Sequence, residues 1–291
     1  MAFRDESLSD GGVVLGHGPA SGLRRRRRKV VAVFGVLFGL SLCLWPVLTD
    51  MWFAADASKA ISDHENTIRV DDVSRKRALD QARAYNALMA GTLEPGTVDQ
   101  VLPYDEQLVG NDGYMCWLEI KRIALSVPVW HGATEDVLAK GAGHVENTSL
   151  PVGGMPSNCV ISAHTGLRTA RMFDDIGRLG PGDVCLVHTF GETLAYEFES
   201  SEVVEPDDLS HLGIYDRDVD MLTLLTCTPF GVNDHRLLVH MRRTEYRGDR
   251  DVVGDMDAYV NHRTVPPIVA GLLVIVVAIG TTTRVSRRSK A

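Results

Sequence analysis

The chain lacks the cysteine and histidine spacings that bind metal ions. Its 291 residues contain five cysteines, and none of them forms a CxxC pair or a Cys/His cluster with zinc spacing. We therefore expect neither a metal nor a cofactor. Cys116, Cys159 and Cys185 lie in strand-like runs, where cysteine usually acts as a small buried side chain. The spacing alone leaves a disulfide among them open.

The body of the chain also lacks an excess of positive charge. Residues 51–264 carry 19 Lys and Arg against 34 Asp and Glu, a net charge of about −15, whereas both ends of the chain are basic. Nucleic-acid binding requires a cationic face. A nucleic-acid partner is therefore not expected.

One stretch near the C-terminal end combines a strand, a cysteine, a loop and a second strand. The apolar run from Met221 predicts a buried strand that stops at Cys227. Pro229 and Gly231 then predict a loop, and a second apolar run follows Arg236. A loop of this length can return the second strand beside the first, which would bring the Cys227 thiol near the Arg236 guanidinium. A neighbouring cation favours the reactive thiolate and can stabilise an oxyanion.

This stretch, TLLTCTPFGVNDHRLLV at residues 223–239, resembles the active-site signature of sortases, the cysteine transpeptidases of Gram-positive cell surfaces. Its Thr-Cys-Thr-Pro start and His-Arg-Leu-Leu-Val end resemble class C, the pilus-assembling sortases. The resemblance continues in order from Gly113 to Arg243. It implies an eight-stranded sortase-type β-barrel, with Cys227 as nucleophile and Arg236 as catalytic arginine.

A cysteine nucleophile needs a general acid and base, usually a histidine. Among ten histidines, His164 is the best candidate, because it ends an apolar strand and strand ends commonly present catalytic side chains. It also matches the catalytic histidine of sortases, although Thr165 follows it where many relatives have arginine. Thr226 and His235 are assigned to substrate binding, Thr226 by shaping the site. The remaining histidines of the body are expected in packing or at the surface; they include His131, His144, His188, His211 and His240.

The resemblance also implies a reaction and its partners. Cys227 would attack the Thr–Gly carbonyl of an LPxTG-like sorting signal and form a thioester, while Arg236 holds the signal or stabilises the oxyanion. His164 would protonate the leaving amine and then deprotonate the incoming one. In class C that amine is a pilin lysine, so the expected partners are LPxTG-bearing pilins or surface proteins. Whether Cys227 and His164 rest as an ion pair or as neutral groups stays open.

The pattern between residues 113 and 245 is independently that of a β protein. About eight short strand-like runs with few helices predict a mainly β, closed and mostly antiparallel barrel. Two of these runs are Thr193 to Glu199 and the pair Val203-Val204. Residues 170–179 predict a helix, because four apolar side chains fall on one face.

Two apolar stretches flank this body. Residues 30–48 are long enough to span a bilayer, and the basic block of residues 24–29 places the N-terminus in the cytoplasm. A cleaved signal peptide is the alternative, but the stretch is longer than a typical apolar signal region and Leu48-Thr49-Asp50 is a poor cleavage site. Residues 266–282 form a second apolar stretch followed by basic residues. Both ends are thus predicted to be cytoplasmic and the acidic body extracellular.

A hydrophobic tail with a basic end also resembles a cell-wall sorting signal. Such a signal needs an LPxTG-like pentapeptide just upstream, and residues 251–265 contain none. The nearest match, Leu150-Pro151-Val152-Gly153-Gly154, lies far too early in the chain. The tail is therefore predicted to be an anchor, which disfavours a non-enzymatic adhesin or pilin subunit.

The region before the barrel is predicted to be helical and could include a lid. Residues 55–89 have a helix-forming composition, and Gly91 suits a C-terminal stop. Similar class C enzymes carry a lid with an Asp-Pro-aromatic motif over the active site. That motif is absent here, and Leu102-Pro103-Tyr104-Asp105 is its closest match, so a lid is only a hypothesis.

Two other enzyme classes are alternatives. A sortase of another class would attach surface proteins to a cell-wall precursor amine. A papain-like protease would place its cysteine before its histidine, whereas His164 precedes Cys227. The predicted organisation is a cytoplasmic basic tail (1–29), a transmembrane helix (30–50), a helical region with the lid hypothesis (51–112), the catalytic barrel (113–245), a linker (246–264), a second transmembrane helix (265–283) and a cytoplasmic basic tail (284–291).

Overall fold

The computed structural model describes residues 27, 30–42, 44–45, 48–49, 52, 55, 59, 72–110, 114–167, 170–208, 210–214 and 216–248. Residues 30–42 are helical. In the parts of the chain just given, no helix has the length and apolar character needed to cross a bilayer. The second predicted span, 265–283, lies outside the described residues, and the first, 30–50, is described only in part. Both spans stay predictions.

Eight strands close into a β-barrel in the spatial order β1-β2-β3-β4-β7-β8-β6-β5. Six of the eight neighbouring pairs are antiparallel, and only β2–β3 and β4–β7 are parallel. The predicted eight-stranded, mostly antiparallel barrel is therefore confirmed. The strands are β1 (Tyr114–Ile120), β2 (Leu125–His131), β3 (Ala142–His144), β4 (Ser157–Ser162), β5 (Val184–Thr189), β6 (Glu192–Val204), β7 (Asp220–Thr228) and β8 (His235–Thr244).

The two α-helices next to the barrel strands differ in length, with 18 and 4 residues. Helix α1 (Asp72–Met89) precedes the barrel, and α2 (Glu135–Leu138) connects β2 to β3. Soon after the end of α1, Gly91 takes a φ of 67°, a left-handed conformation that costs glycine little, so the predicted stop is where the sequence indicated. In the described part of the chain there are also four 3₁₀ turns, at Val98–Gln100, Tyr104–Glu106, Lys121–Ile123 and Ile176–Arg178.

Alternation along the central strands separates the core from the outer face of the barrel. Cys159 and Ile161 of β4, with Leu222 and Leu224 of β7, belong to the hydrophobic core. The residues between them point to the other side of the sheet, because strand side chains alternate. Every residue of β4 is nevertheless buried, as is usual for a strand in a parallel pair that is covered on both faces.

Two predicted elements differ from the structure. Residues 170–179 form turns and one 3₁₀ turn rather than a helix. Met172 has a φ of 33°, and the Phe173 amide donates to the carbonyl of His164 at 3.1 Å. The Phe173 amide thus bonds to a residue just after the end of β4 and not to the carbonyl four residues earlier, as it would in a helix. The two runs predicted after residue 192 are one strand, β6, whose register shifts between Phe198 and Ser200. A bulge of this kind keeps a long strand paired.

Helix α1 is joined to the barrel by the buried side chain of Asn86. Its Oδ1 accepts a hydrogen bond from the Leu150 amide at 2.7 Å, and its Nδ2 donates to the carbonyls of Leu150 and Gly153 at 3.1 and 3.2 Å. Leu150 and Val152 are themselves buried. The Leu-Pro-Val-Gly-Gly segment is therefore an internal connection of the barrel and not an accessible peptide signal.

Replacement of Asn86 by Ala should lower the free energy of unfolding by about 1–3 kcal/mol, because three backbone groups lose their buried partner. Arg83→Ala is a matched control on the same helix. It removes a partly exposed ion pair with Glu192 (2.7 Å), so it should cost at most about 1 kcal/mol. Urea unfolding of both variants measures the difference. Equal losses would contradict the role of Asn86.

Candidate active site

Strands β7 and β8 place Cys227 and Arg236 directly opposite each other. Their register runs without a shift from Met221 opposite Arg242 to Thr228 opposite His235, and it pairs Cys227 with Arg236. Directly opposite residues of an antiparallel pair lie on the same face with their Cβ atoms about 5 Å apart. As predicted, the loop returns β8 beside β7, so Cys227 and Arg236 lie near each other at one end of the sheet.

On the other side of β7, the end of β4 brings His164 beside the cysteine. The parallel register of the two strands pairs Ser162 with Leu225. The contact continues past Ser162, because the Ala163 amide donates to the carbonyl of Leu225 at 3.2 Å. Extending the register by two residues sets His164 next to Cys227. Since side chains alternate, both fall on the outer face of the barrel.

The hydroxyl of Thr226 ties these two strand ends together. It donates to the carbonyl of Ala163 at 2.7 Å, and the Thr226 side chain is buried. Thr226 therefore acts on the site through the backbone that carries His164, which agrees with the shaping role expected from the sequence. Its assignment to substrate binding stays a prediction.

Burial separates Cys227 from the other cysteines in the described part of the chain. Cys116, Cys159 and Cys185 are buried and free, and burial raises the pKa of each thiol. Cys227 is also free but only partly buried, since it lies near the end of β7. The four described thiols form no disulfide, which answers the question left open by the spacing. Cys227 is the thiol that a substrate can reach.

The guanidinium of Arg236 is held by backbone oxygens. Its Nη1 donates to the carbonyl of His235 at 3.1 Å and, more weakly, to that of Asn233 at 3.4 Å. No carboxylate of the described residues pairs with it within 4 Å. Its positive charge is therefore left for a bound anion or a developing oxyanion at the site.

His235 next to it is engaged by two acidic residues. Its Nδ1 lies 2.9 Å from Asp234 Oδ1, and its Nε2 lies 3.6 Å from Glu205 Oε1. The hydrogen bond to Asp234 raises the pKa of His235 and lowers that of Asp234. The charged contact is thus fully formed between the usual aspartate pKa of 3.8 and the usual histidine pKa of 6.5; it is lost as the pH rises through the raised pKa of His235 or falls through the lowered pKa of Asp234. The predicted contact of His235 with substrate stays a prediction.

Two residues near His164 were not anticipated from the sequence. Glu135, the first residue of α2, places its Oε2 3.3 Å from His164 Nε2. Asp174 fixes the turn that follows His164, because its Oδ1 accepts hydrogen bonds from the Gly166 amide at 2.7 Å and the Thr165 hydroxyl at 3.1 Å. Neither has a sequence signal, because each is one of two adjacent acidic residues in no motif and is distant in the chain from Cys227.

The closest match to a lid motif is packed against β2 and β3. The Tyr104 hydroxyl lies 2.9 Å from His144 Nδ1 and accepts a hydrogen bond from the Gly132 amide at 3.0 Å. His144 Nε2 faces the carbonyl of Ser149 at 2.9 Å, and burial lowers the pKa of His144 to about 4. A neutral His144 that donates from Nε2 accepts at Nδ1, so Tyr104 donates to it. His144 is thus a packing residue, as expected, and Tyr104 anchors this segment to the barrel.

The arrangement as a whole puts three chemical functions in a row. The His164 imidazole follows two residues after the end of β4, and the reachable Cys227 thiol and the uncompensated Arg236 guanidinium lie opposite each other on β7 and β8. Together they can supply a proton carrier, a nucleophile and an oxyanion partner. Within the described ranges, no group of three or more His, Cys, Asp or Glu side chains is placed to hold a metal ion.

Comparison with known proteins agrees with this geometry. Residues 118–244 match the sortase domain family. Sortase D of Bacillus subtilis is 32% identical over 114 residues, which are 39% of this chain. The match spans about half, 54%, of that curated relative's length.

Solved structures match a larger share of this chain than sortase D of Bacillus subtilis does. Sortase C of Clostridium perfringens, solved with the C-terminal cell wall sorting motif, is 38% identical with a TM-score of 0.57, covering 65% of this chain and 100% of that one. Streptococcus pneumoniae sortase C, whose report concerns catalysis and pilin substrate specificity, is 34% identical with a TM-score of 0.56, covering 65% and 97%.

A thiol-specific reagent should distinguish Cys227 from the buried cysteines. In the native protein, iodoacetamide should modify Cys227 at least about 100-fold faster than Cys116, Cys159 or Cys185, because core thiols react only after the barrel opens. Peptide mapping by mass spectrometry measures each rate, and Cys227→Ala is the control. Similar rates for a core cysteine and Cys227 in the native state would contradict the assigned exposure.

Proposed function

Because the chain belongs to the sortase family and to its class C, we propose that it is a cysteine transpeptidase that cleaves an LPxTG-like sorting signal between Thr and Gly. The observation that carries this proposal is the row of His164, Cys227 and Arg236 on the adjacent ends of β4, β7 and β8. A reactive thiol beside a proton carrier and a free cation suits acyl transfer through a thioester.

In the proposed reaction, the Cys227 sulfur attacks the threonine carbonyl carbon of the signal. The carbonyl oxygen becomes an oxyanion next to Arg236, which stabilises it. When the C–N bond breaks, His164 passes the proton that the Cys227 thiol gave up to the leaving glycine amine, and a thioester remains on Cys227. An incoming amine then attacks the thioester, His164 takes its proton, and the sulfur leaves as thiolate or thiol.

The acceptor proposed here is a lysine side chain of a pilin, which would make an isopeptide-linked pilus polymer. Two observations support it: the class C structures are similar over nearly their full length, and the pneumococcal one is described in terms of pilin substrates. The second candidate is attachment of surface proteins to a cell-wall precursor amine. The similarity to sortase D of Bacillus subtilis, which is a sortase of another class, supports this second candidate.

We further propose that the enzyme is anchored in the cell membrane by residues 30–50 and 265–283. The support is the length of both apolar stretches and the basic residues that flank each of them on the side nearer the chain terminus. In this topology the barrel is extracellular, both termini are cytoplasmic, and the site faces substrates at the cell surface.

The thioester gives a direct test of the proposed chemistry. Full-length protein incubated with an LPxTG peptide should gain the mass of the peptide cut after Thr, since the acyl group remains on Cys227. Intact-mass spectrometry measures the adduct, and Cys227→Ala should show none. If Cys227 reacts freely with iodoacetamide yet never forms the adduct, the proposed signal is wrong.

Arg236→Lys should lower the rate of thioester formation by about 100-fold or more, because an ammonium cannot replace a planar donor placed for an oxyanion. Arg242→Lys is the matched control on the same strand. Arg242 pairs with Glu199 at 2.6 Å far from Cys227, so that variant should keep the wild-type rate. Single-turnover kinetics measure both, and a near-normal rate for Arg236→Lys would remove Arg236 from the mechanism.

A further inference from the structure

The carboxylate of Glu135 lies beside one of the two ring nitrogens of His164. Glu135 Oε2 lies 3.3 Å from His164 Nε2. The His164 side chain is 22% exposed, so the ring is partly enclosed, whereas that of Glu135 is 89% exposed. The contact therefore acts from the solvent side of the ring.

The backbone that carries Glu135 is closely packed against the barrel. Helix α2 buries Leu138, and β3 immediately after it pairs with β2. A Cβ at Gly141 would collide with the Trp130 ring and with the carbonyl of Pro128, and a Cβ at Gly143 would collide with the carbonyl of Gly132. Such close backbone approach leaves α2 little freedom, so Glu135 starts from a defined position.

An imidazole can turn about its Cβ–Cγ bond, and a fixed partner on one nitrogen selects the ring orientation. A carboxylate accepts hydrogen bonds but donates none, so the nitrogen that faces it carries the proton. With Nε2 toward Glu135, Nδ1 is the nitrogen left to exchange protons. A buried acidic residue plays this orienting role in the serine protease triad.

We propose that Glu135 is a positioning residue for His164: it holds Nε2–H toward its carboxylate and leaves Nδ1 to pass the proton between the amines. This inference rests on the proposed function, in which His164 is the acid and base. During thioester formation Nδ1–H protonates the leaving amine while Nε2 keeps its proton. During transfer Nδ1 recovers a proton from the incoming amine.

The exposure of Glu135 sets the size of the effect. Exposed ion pairs contribute at most about 1 kcal/mol, which corresponds to a change of about fivefold in rate. For the same reason, removing the carboxylate should lower the thermal midpoint by about 4 °C at most. An effect on turnover is therefore separable from an effect on folding.

Kinetics of three variants of the full-length protein test the proposal. Glu135→Ala should lower kcat for peptide transfer about fivefold with KM for the sorting peptide unchanged, and Glu135→Gln, which keeps an acceptor oxygen, should lie between it and the wild type. Asp136→Asn is the control, because it removes the same charge from the next exposed residue of α2. Wild-type kcat in Glu135→Ala, or the same loss in Asp136→Asn, would overturn the proposal.

Nitrogen-15 NMR of the His164 ring gives a readout that needs no turnover. In the neutral wild-type ring, Nε2 should carry the proton, whereas Glu135→Ala should raise the population protonated at Nδ1 and Asp136→Asn should not. Equal tautomer populations in the wild type and Glu135→Ala would overturn the inference. A missing thioester in the wild type would instead overturn the proposed function, so the two failures are distinguishable.

Discussion

The pairing of β7 with β4 on one side and β8 on the other is the constraint on which the site depends. β7 carries Cys227. Strand β4 is parallel to β7 and β8 is antiparallel to it, so the C-terminal end of β4 and the N-terminal end of β8 lie at the same rim of the barrel as Cys227. A slip of one residue in either register would turn His164 or Arg236 to the opposite face of the sheet. Core residues oppose such a slip, because it would also move Cys159 and Ile161 of β4, or Val239 and Met241 of β8, out of the core.

Position along a strand, rather than residue type, decides what each cysteine does. Cys116, Cys159 and Cys185 lie inside the barrel wall, where burial raises their pKa and keeps them as packing groups. Cys227 has the same thiol at the rim. There the Arg236 charge is unopposed by any described carboxylate within 4 Å, so it is available to a group bound at the site. The paired strands thus fix the position of Cys227, and its place near the end of β7 lets a substrate reach the thiol.

The surroundings of His164 show how connections complete a site that strands begin. Thr226 ties the strand end, Asp174 fixes the turn after it, and Glu135 approaches from the helix between β2 and β3. The three partners come from three different parts of the chain. The carbonyl of His164 itself accepts from Phe173, which is why the apolar segment around that residue is a set of turns. Periodicity alone indicated a helix there because it contains no information about this distant partner.

Local sequence predicted the kind of structure: short strand-like runs indicated a closed barrel, and the loop length allowed Cys227 and Arg236 to lie on adjacent strands. The roles of His164, Cys227 and Arg236 came from the resemblance of these residues to the sortase motif. The continuity of β6 and the placement of Glu135 were decided only by tertiary structure. A bulged strand looks locally like two strands, and a carboxylate far along the chain from a histidine meets it only when the barrel closes. Contacts of this kind depend on the packing of whole elements, which no short stretch of sequence contains.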